Sequence, residues 1–387
     1  MKPILKVQET HLRYLAGYLL YTTQQGVLSA LPFDPGQLEA TGKALPLLEG
    51  VDDFAVSKTG TLIVHRGNPA GEDPRVLSWF DESGKLEKLI DTPAAYGHPR
   101  LSPDGKRLAL TIMAEDGSRS IWIRDLESAT MVRLTFGPDA SYPTWTPDGQ
   151  FIFYNNGGLY DNRGAIELIR ADGAGKPRRA LEDSYAPESV SPDGRKLAFV
   201  RRTSATQRDI WMARLEGSGD TMRLGQAEVF LNTAADEANP AFSPDGKWFA
   251  YYSKSAEEDT TLYVRPASDA PGKWQIYTGG STKPVWSPAG SRLFFHMRDG
   301  KVMAADYMVR GDSFAVGAVK EFASGVRIGS TPRNGNAPFF FVAQSGKRVG
   351  ALFDLPDAVK GTSRAEYTLF LNFMGEIERH AARVAGQ

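Results

Sequence analysis

The 387-residue chain has no cysteine and only five histidines. Without thiols there is no disulfide, no cysteine nucleophile and no cysteine-ligated zinc, and cysteine usage suits the cytoplasm and the periplasm alike. An excess of charge is missing too: 45 basic residues stand against 46 acidic ones, a net charge of −1. Nothing in that balance draws the whole chain to nucleic acid or to an anionic membrane. No apolar run approaches the ~20 residues of a membrane span, so membrane insertion is not expected. The opening MKPILKVQETHLRYLAG turns polar by Gln8, short of the unbroken apolar core of a signal peptide. As written, the chain is expected to be soluble and to begin inside its fold.

Catalytic signatures are also lacking. There is no P-loop and no H-E-x-x-H, no kinase glycine-rich or catalytic loop, and no G-x-S-x-G nucleophile elbow. Kinase and serine-peptidase chemistry are thereby excluded as readings of the chain. Helical periodicity is scarce, with one exception: GEIERHAARVAG after Gly375 favours a short C-terminal helix or tail over 375–387.

What the sequence has in abundance is a repeated corner. Ser-Pro-Asp-Gly or a near copy recurs with its proline at 103, 147, 192, 244 and 288, at steps of 44, 45, 52 and 44 residues. Proline presets φ for the first central position of a tight turn, aspartate bonds its own backbone, and glycine accepts the positive φ that follows. The flanking runs, such as HPRL before the corner and RLALTI after it, read as strands rich in aromatic and β-branched residues. The turn aspartates Asp104, Asp148, Asp193 and Asp245 therefore read as structural, and the seventh copy carries Ala289 instead. Eroded copies near Leu15, Lys58 and Arg333 extend the count to eight registers.

A period of this length with room for four strands is the mark of a β-propeller. The expected fold is all-β, one propeller over residues 1–387 built of four-stranded antiparallel blades. Eight blades are favoured and seven are the alternative, if the eroded first and last units share a blade. PILKV at residues 3–7 would pair with the last blade and close the ring, and a closed ring needs no partner, so a monomer is expected. GVRIGS, FFFVAQ and YTLFLNF are read as strands of the last register, and GQAEVFLNTAADEAN as a longer loop between the units of Pro192 and Pro244.

The repeat xPxxSPDG…LYV resembles the TolB-like, WD-type propellers of bacteria, over most of the chain. More narrowly, the stretches beginning HLRYLAGYLLYTT, RDLESATMVRLTFGPDASYPTWTPDG and YVRPASDAPGKW look like the propeller C-terminal to bacterial serine/threonine kinase domains, here without the kinase. The resemblance implies a sensor or scaffold rather than a catalyst, and an extracytoplasmic setting.

Residues five before each corner proline are expected at the channel mouth opposite the corners. That ring reads Thr10, Asp53, His98, Tyr142, Pro187, Asn239, Lys283 and Ile328, with Tyr96 and Glu188 beside it. Asp53, Tyr96, Tyr142, Glu188, Asn239 and Lys283 are the candidate binding residues, for a protein, peptide, saccharide or small molecule. No cofactor is required for that function. The alternative is a hydrolase of esters, lactones or phosphotriesters, by analogy with calcium-dependent propeller lactonases. Asp53, Glu188 and Asn239 would then hold a divalent cation, calcium or zinc, with His98 as the base near Asp53. His65 and His296 fall in second strands and read as core.

Overall fold

The structure is a computed structural model that describes residues 12–22, 27–48, 51, 53–66, 74–114, 117–137, 139–157, 164–182, 186–202, 208–255, 259–279, 281–297, 299–329, 340–355, 366–375 and 377–379. It falls into two compact units, Met1–Asp73 with Pro356–Gln387, and Pro74–Leu355.

The first unit begins with a sheet of β1 (Leu12–Leu15), β2 (Tyr18–Thr22), β3 (Leu28–Asp34), β4 (Glu39–Ala40) and β5 (Leu45–Leu48). It continues with β6 (Asp53–Val56) and β7 (Leu62–Arg66). The buried side chains Leu20, Leu28, Phe54 and Val64 meet Phe373 and Ile377 in one core, so both ends of the chain build this unit.

The second unit is a ring of six four-stranded blades. Blade 1 takes β8 (Arg75–Asp81) and the first half of β9 (Leu86–Leu101). The second half of β9 is the inner strand of blade 2, followed by β10 (Arg107–Met113), β11 (Arg119–Asp125) and β12 (Met131–Arg133). Blade 3 holds β13 (Ala140–Trp145), β14 (Phe151–Asn156), β15 (Ala165–Arg170) and β16 (Arg178–Leu181). Blade 4 holds β17 (Ala186–Val190), β18 (Lys196–Arg201), β19 (Asp209–Glu216) and β20 (Arg223–Leu231). Blade 5 holds β21 (Asp236–Phe242), β22 (Trp248–Lys254), β23 (Thr261–Pro266) and β24 (Trp274–Thr278). Blade 6 holds β25 (Ser281–Trp286), β26 (Arg292–Met297), β27 (Val302–Arg310) and β28 (Ser313–Glu321).

The ring closes when β29 (Phe340–Val342) and β30 (Arg348–Asp354) return to blade 1, where β30 pairs antiparallel with β8 from Arg348↔Asp81 to Asp354↔Arg75. The inner strands β9, β13, β17, β21, β25 and β29 then neighbour one another in a closed circle. In the first unit β31 (Glu366–Phe370) pairs with β7.

The strands of the last register are thus divided: FFFVAQ supplies β29 of the ring, and YTLFLNF supplies β31 of the other unit. GVRIGS forms no strand over 325–329, where Ile328 is buried against Phe322 and Phe340. The eight registers of the whole chain correspond to six blades in the ring plus the sheets of the first unit, and the expected closing strand at residues 3–7 lies outside the described residues. Residues 373–375 and 377–379 are helical, and most of the segment 375–387 expected as a short helix or tail lies outside the described residues. The extra length between Pro192 and Pro244 extends the β19–β20 hairpin, so that GQAEVFL lies in β20 itself.

The corners are built as the turn chemistry requires. At Ser243 the hydroxyl donates to Asp245 at 2.5 Å and accepts the Trp248 N–H at 2.9 Å, and the Lys247 N–H bonds Asp245 at 3.0 Å. The same bonds recur at Ser102, Thr146 and Ser191, and the four corner glycines take φ between 67° and 72°. Just before two of the corners the inner strand bonds its neighbour: the Trp145 and Trp286 indoles donate across the blade boundary to the carbonyls of Arg100 and Ala241, at 2.9 and 3.0 Å.

Candidate functional site at the ring axis

Four inner strands carry the same distortion. His98, Tyr142, Asn239 and Lys283 take φ of 51°, 55°, 52° and 44°, each immediately before a proline. The pairing of inner strand with second strand slips there in every case, as in a β-bulge. Left-handed φ costs a residue with a Cβ of order 1 kcal/mol or more, and the bulge re-aims its side chain. Blade 4 slips at the same place with Pro187 and Glu188.

These positions lie in the middle of the inner strands, which begin two or three residues earlier, at Ala140 and Asp236 for example. They are therefore inside the ring rather than at its mouth. His98 and Lys283 are 4% and 3% exposed.

The decisive contacts run between blades that are not neighbours. Arg100 of blade 2 donates to Glu188 Oε2 of blade 4 at 3.0 Å, and Lys283 Nζ of blade 6 stands 3.9 Å from the same oxygen. Side chains from alternate blades of a six-membered ring can touch only on its axis. Arg100, Glu188 and Lys283 therefore meet across the channel, and all three side chains are mostly or wholly withdrawn from solvent. Burial and the Arg100 charge push the Lys283 ammonium well below its ordinary range, with Glu188 opposing. Burial likewise lowers Arg100, again against Glu188.

His98 stands at the edge of this cluster. Its ring lies 3.8 Å from the Tyr142 ring at a 45° tilt, and its Nδ1 is 3.3 Å from the Thr111 hydroxyl. Burial first, then the charges of Lys283, Arg100, Arg119 and Arg75, hold its pKa well below the usual value, so the imidazole is neutral near pH 7. Arg75 and Arg119 are bridged to Asp354 and Asp139 at 3.1 and 3.0 Å. Arg208 makes the same kind of link to Asp236 between blades 4 and 5.

Tyr96 packs in the core beside Ile90 and Leu108 and donates its hydroxyl to the Thr92 carbonyl at 2.9 Å. Asn239 is half-buried on β21. Asp53 opens β6 in the first unit, where its Oδ1 accepts the Phe54 N–H at 2.7 Å. Ile328 is a core residue of the ring, and Thr10 lies outside the described residues. Among the described residues no three histidine or carboxylate side chains gather as a metal's ligands. Glu188, flanked by two cations, sits where a further cation would be repelled, so this donor set does not fit a metal ion.

Arg100 was not among the expected site residues, although the repeat marks it. Three residues before the corner proline the other complete registers have Thr144, Ser189, Ala241 and Val285, all short, and only here a long cation. Glu188 likewise replaces the proline found at 99, 143, 240 and 284.

The family model of the TolB beta propeller domain matches residues 72–289, more than half of the chain. The chain belongs to the TolB β-propeller domain family. Among curated relatives, the Tol-Pal system protein TolB of Francisella tularensis is 26% identical over 244 residues, covering 60% of this chain and 53% of that protein. An uncharacterized peptidase of Bacillus subtilis, YuxL, is 28% identical over 162 residues, 42% of this chain and 22% of its own length. The chain thus spans about half of one relative and about a fifth of the other. TolB from Acinetobacter baumannii superposes with a TM-score of 0.50 at 12% identity, over 88% of this chain and 78% of that one. A protein assigned as TolB from Agrobacterium tumefaciens reaches 0.54 at 19%, over 74% of this chain and all of its own. At these identities the TolB structures speak for the fold alone. No helix among the described residues is long and apolar enough to cross a membrane.

Proposed function

We propose that this TolB-family ring is a binding module of the sensor or scaffold type, whose ligand is recognised in the channel where His98, Tyr142 and Lys283 stand. The observation that carries this reading is the commitment of Glu188 to Arg100 and Lys283 across the axis. The carboxylate best placed to serve as a base or a metal ligand is held between cations, and His98 is neutral with a hydroxyl and an aromatic ring as its neighbours. That is the chemistry of recognition, with fixed charge, a donor and an aromatic face, rather than of proton transfer to water. The likeness to receptor propellers supports the same conclusion, and with it an extracytoplasmic setting for a monomer.

The test is a thermal-shift screen against a panel of peptides, saccharides and small acids, run beside ester, lactone and phosphotriester turnover with and without chelator. Ligands whose stabilisation disappears in Tyr142→Ala are the expected result. Chelator-sensitive turnover that survives purification to homogeneity would replace the binding module with the hydrolase.

A further inference from the structure

Strand pairing among the described residues is local, with two exceptions. Every other pair joins strands that follow one another closely in sequence, whereas β30 pairs with β8 from Arg348↔Asp81 to Asp354↔Arg75, and β31 pairs with β7 from Glu366↔Arg66 to Phe370↔Leu62. Both exceptions belong to one stretch of chain. Apart from the β29–β30 hairpin, the strands of this C-terminal arm pair only with β7 and β8.

The arm is well anchored at these partners. Its residues Phe340, Val349, Ala351 and Leu352 are buried in the ring, and Phe373 and Ile377 are buried in the core of the first unit. Ion pairs stand at both ends of the β8–β30 ladder, Arg75 with Asp354 at 3.1 Å and Arg348 with Glu87 at 2.9 Å.

Nothing in these contacts requires the arm and its partners to belong to one chain. A second copy offers β7, β8 and the same cores residue for residue, so an exchanged arm would recover the same strand pairs and ion pairs. The connection leading to the arm also differs from its counterparts. Residues 322–339, 18 in number, separate β28 from β29, against six, four, four and two residues before β13, β17, β21 and β25.

We propose that the C-terminal arm, from Phe340 to Ile377, is an exchangeable element through which two copies of this chain form a domain-swapped dimer. Each arm completes blade 1 and the β7 ladder of the other copy. Monomer and dimer contain the same strand pairs, so protein concentration during folding decides between them. Once folded, they interconvert only by opening the seven residue pairs of β8 with β30 and the cores behind them. His98, Tyr142 and Lys283 lie on strands outside the arm, so this proposal and the channel reading stand or fall separately.

Because the chain has no cysteine, engineered pairs report directly which chain an arm belongs to. Residues opposite one another in antiparallel strands have Cα atoms about 4.5–5.5 Å apart, within the span of a disulfide. One full-length variant carries Ile63→Cys with Leu369→Cys, an exposed pair across β7 and β31. The other carries Val76→Cys with Phe353→Cys, a half-buried pair across β8 and β30. Each is refolded from urea at two concentrations tenfold apart, oxidised, separated by size exclusion and run on a non-reducing gel.

Monomers are expected to carry the bond within one chain and dimers to carry it between chains, in both variants. While monomer predominates, the ratio of dimer to monomer should rise about tenfold with the tenfold concentration. Ile63→Cys alone should give no linked dimer. Dimers whose bonds all lie within single chains, disagreement between the two variants, equal linking by Ile63→Cys alone, or no dimer at either concentration overturns the proposal. Should the variants not fold, the wild-type chain decides: a swapped dimer persists on dilution until urea opens it, and a dimer that dissociates on dilution alone overturns the exchange.

Discussion

Removing Glu188 and removing Lys283 should have opposite weights, although the two side chains share one ion pair. Glu188→Gln is nearly isosteric, but it takes away the carboxylate that Arg100 and Lys283 share. Breaking a buried pair from one side typically costs about 3–5 kcal/mol, most of it the desolvation of the charge left behind. For a domain of this size each kcal/mol moves the melting temperature by roughly 2–4 °C, so the expected loss is on the order of 10 °C. Lys283→Met removes a buried cation instead and leaves the Arg100–Glu188 pair at 3.0 Å. The fold already disfavours that ammonium by burial and by the Arg100 charge. Its loss should cost less than about 1 kcal/mol, or stabilise. In the double variant Lys283→Met should recover part of what Glu188→Gln loses. Differential scanning calorimetry on the three variants measures all of this. Equal losses for the two single variants, or an additive double variant, would refute the reasoning by showing that the groups do not couple at the axis.

Two further expectations concern the scaffold. Burial pushes the His296 ring on β26 down to about 4, with Asp299 only partly opposing. Between that value and about 6.5 the unfolded chain binds a proton that the native state refuses, so this stability is present above pH 6.5 and is lost as pH falls toward 4. The loss amounts to about 3 kcal/mol. Urea midpoints at pH 7 and pH 5 should converge in His296→Phe, and an unchanged gap, beyond the share that His98 contributes with the same sign, would contradict the assignment. At the corners, Ser243→Ala removes both the bond to Asp245 and the acceptor for the Trp248 N–H, an expected cost of about 1–2 kcal/mol. Ser287→Ala, in the corner where Ala289 replaces the aspartate, should cost less in the same denaturation assay.

The ring was legible in the sequence because its corner is local chemistry: serine, proline, aspartate and glycine each have one job within four residues, and the copies repeat the job. Closure was not legible. Which strand pairs with β8 depends on partners some 270 residues away, and neither composition nor period encodes that choice. The channel residues stood out by position, but their depth did not, since the bulges at His98, Tyr142, Asn239 and Lys283 lie mid-strand. The axis cluster was half visible. Glu188 and Lys283 were singled out as polar residues near the corner register, whereas Arg100 required reading the repeat for its departures, a cation where four sister blades have short side chains.

Blade 1 joins strands from the two ends of the ring's chain, β8 with β30. During synthesis β8 and the first half of β9 leave the ribosome some 260 residues ahead of β29 and β30. At roughly 5–20 residues per second that is an interval on the order of tens of seconds. Throughout it β8 carries a free edge containing Leu77, Trp79 and Phe80, side chains that the finished ring buries. An exposed apolar edge is a template for pairing with another chain. The last blade to be completed is thus the first to be translated, and the nascent protein needs shelter at the very strand that later seals it.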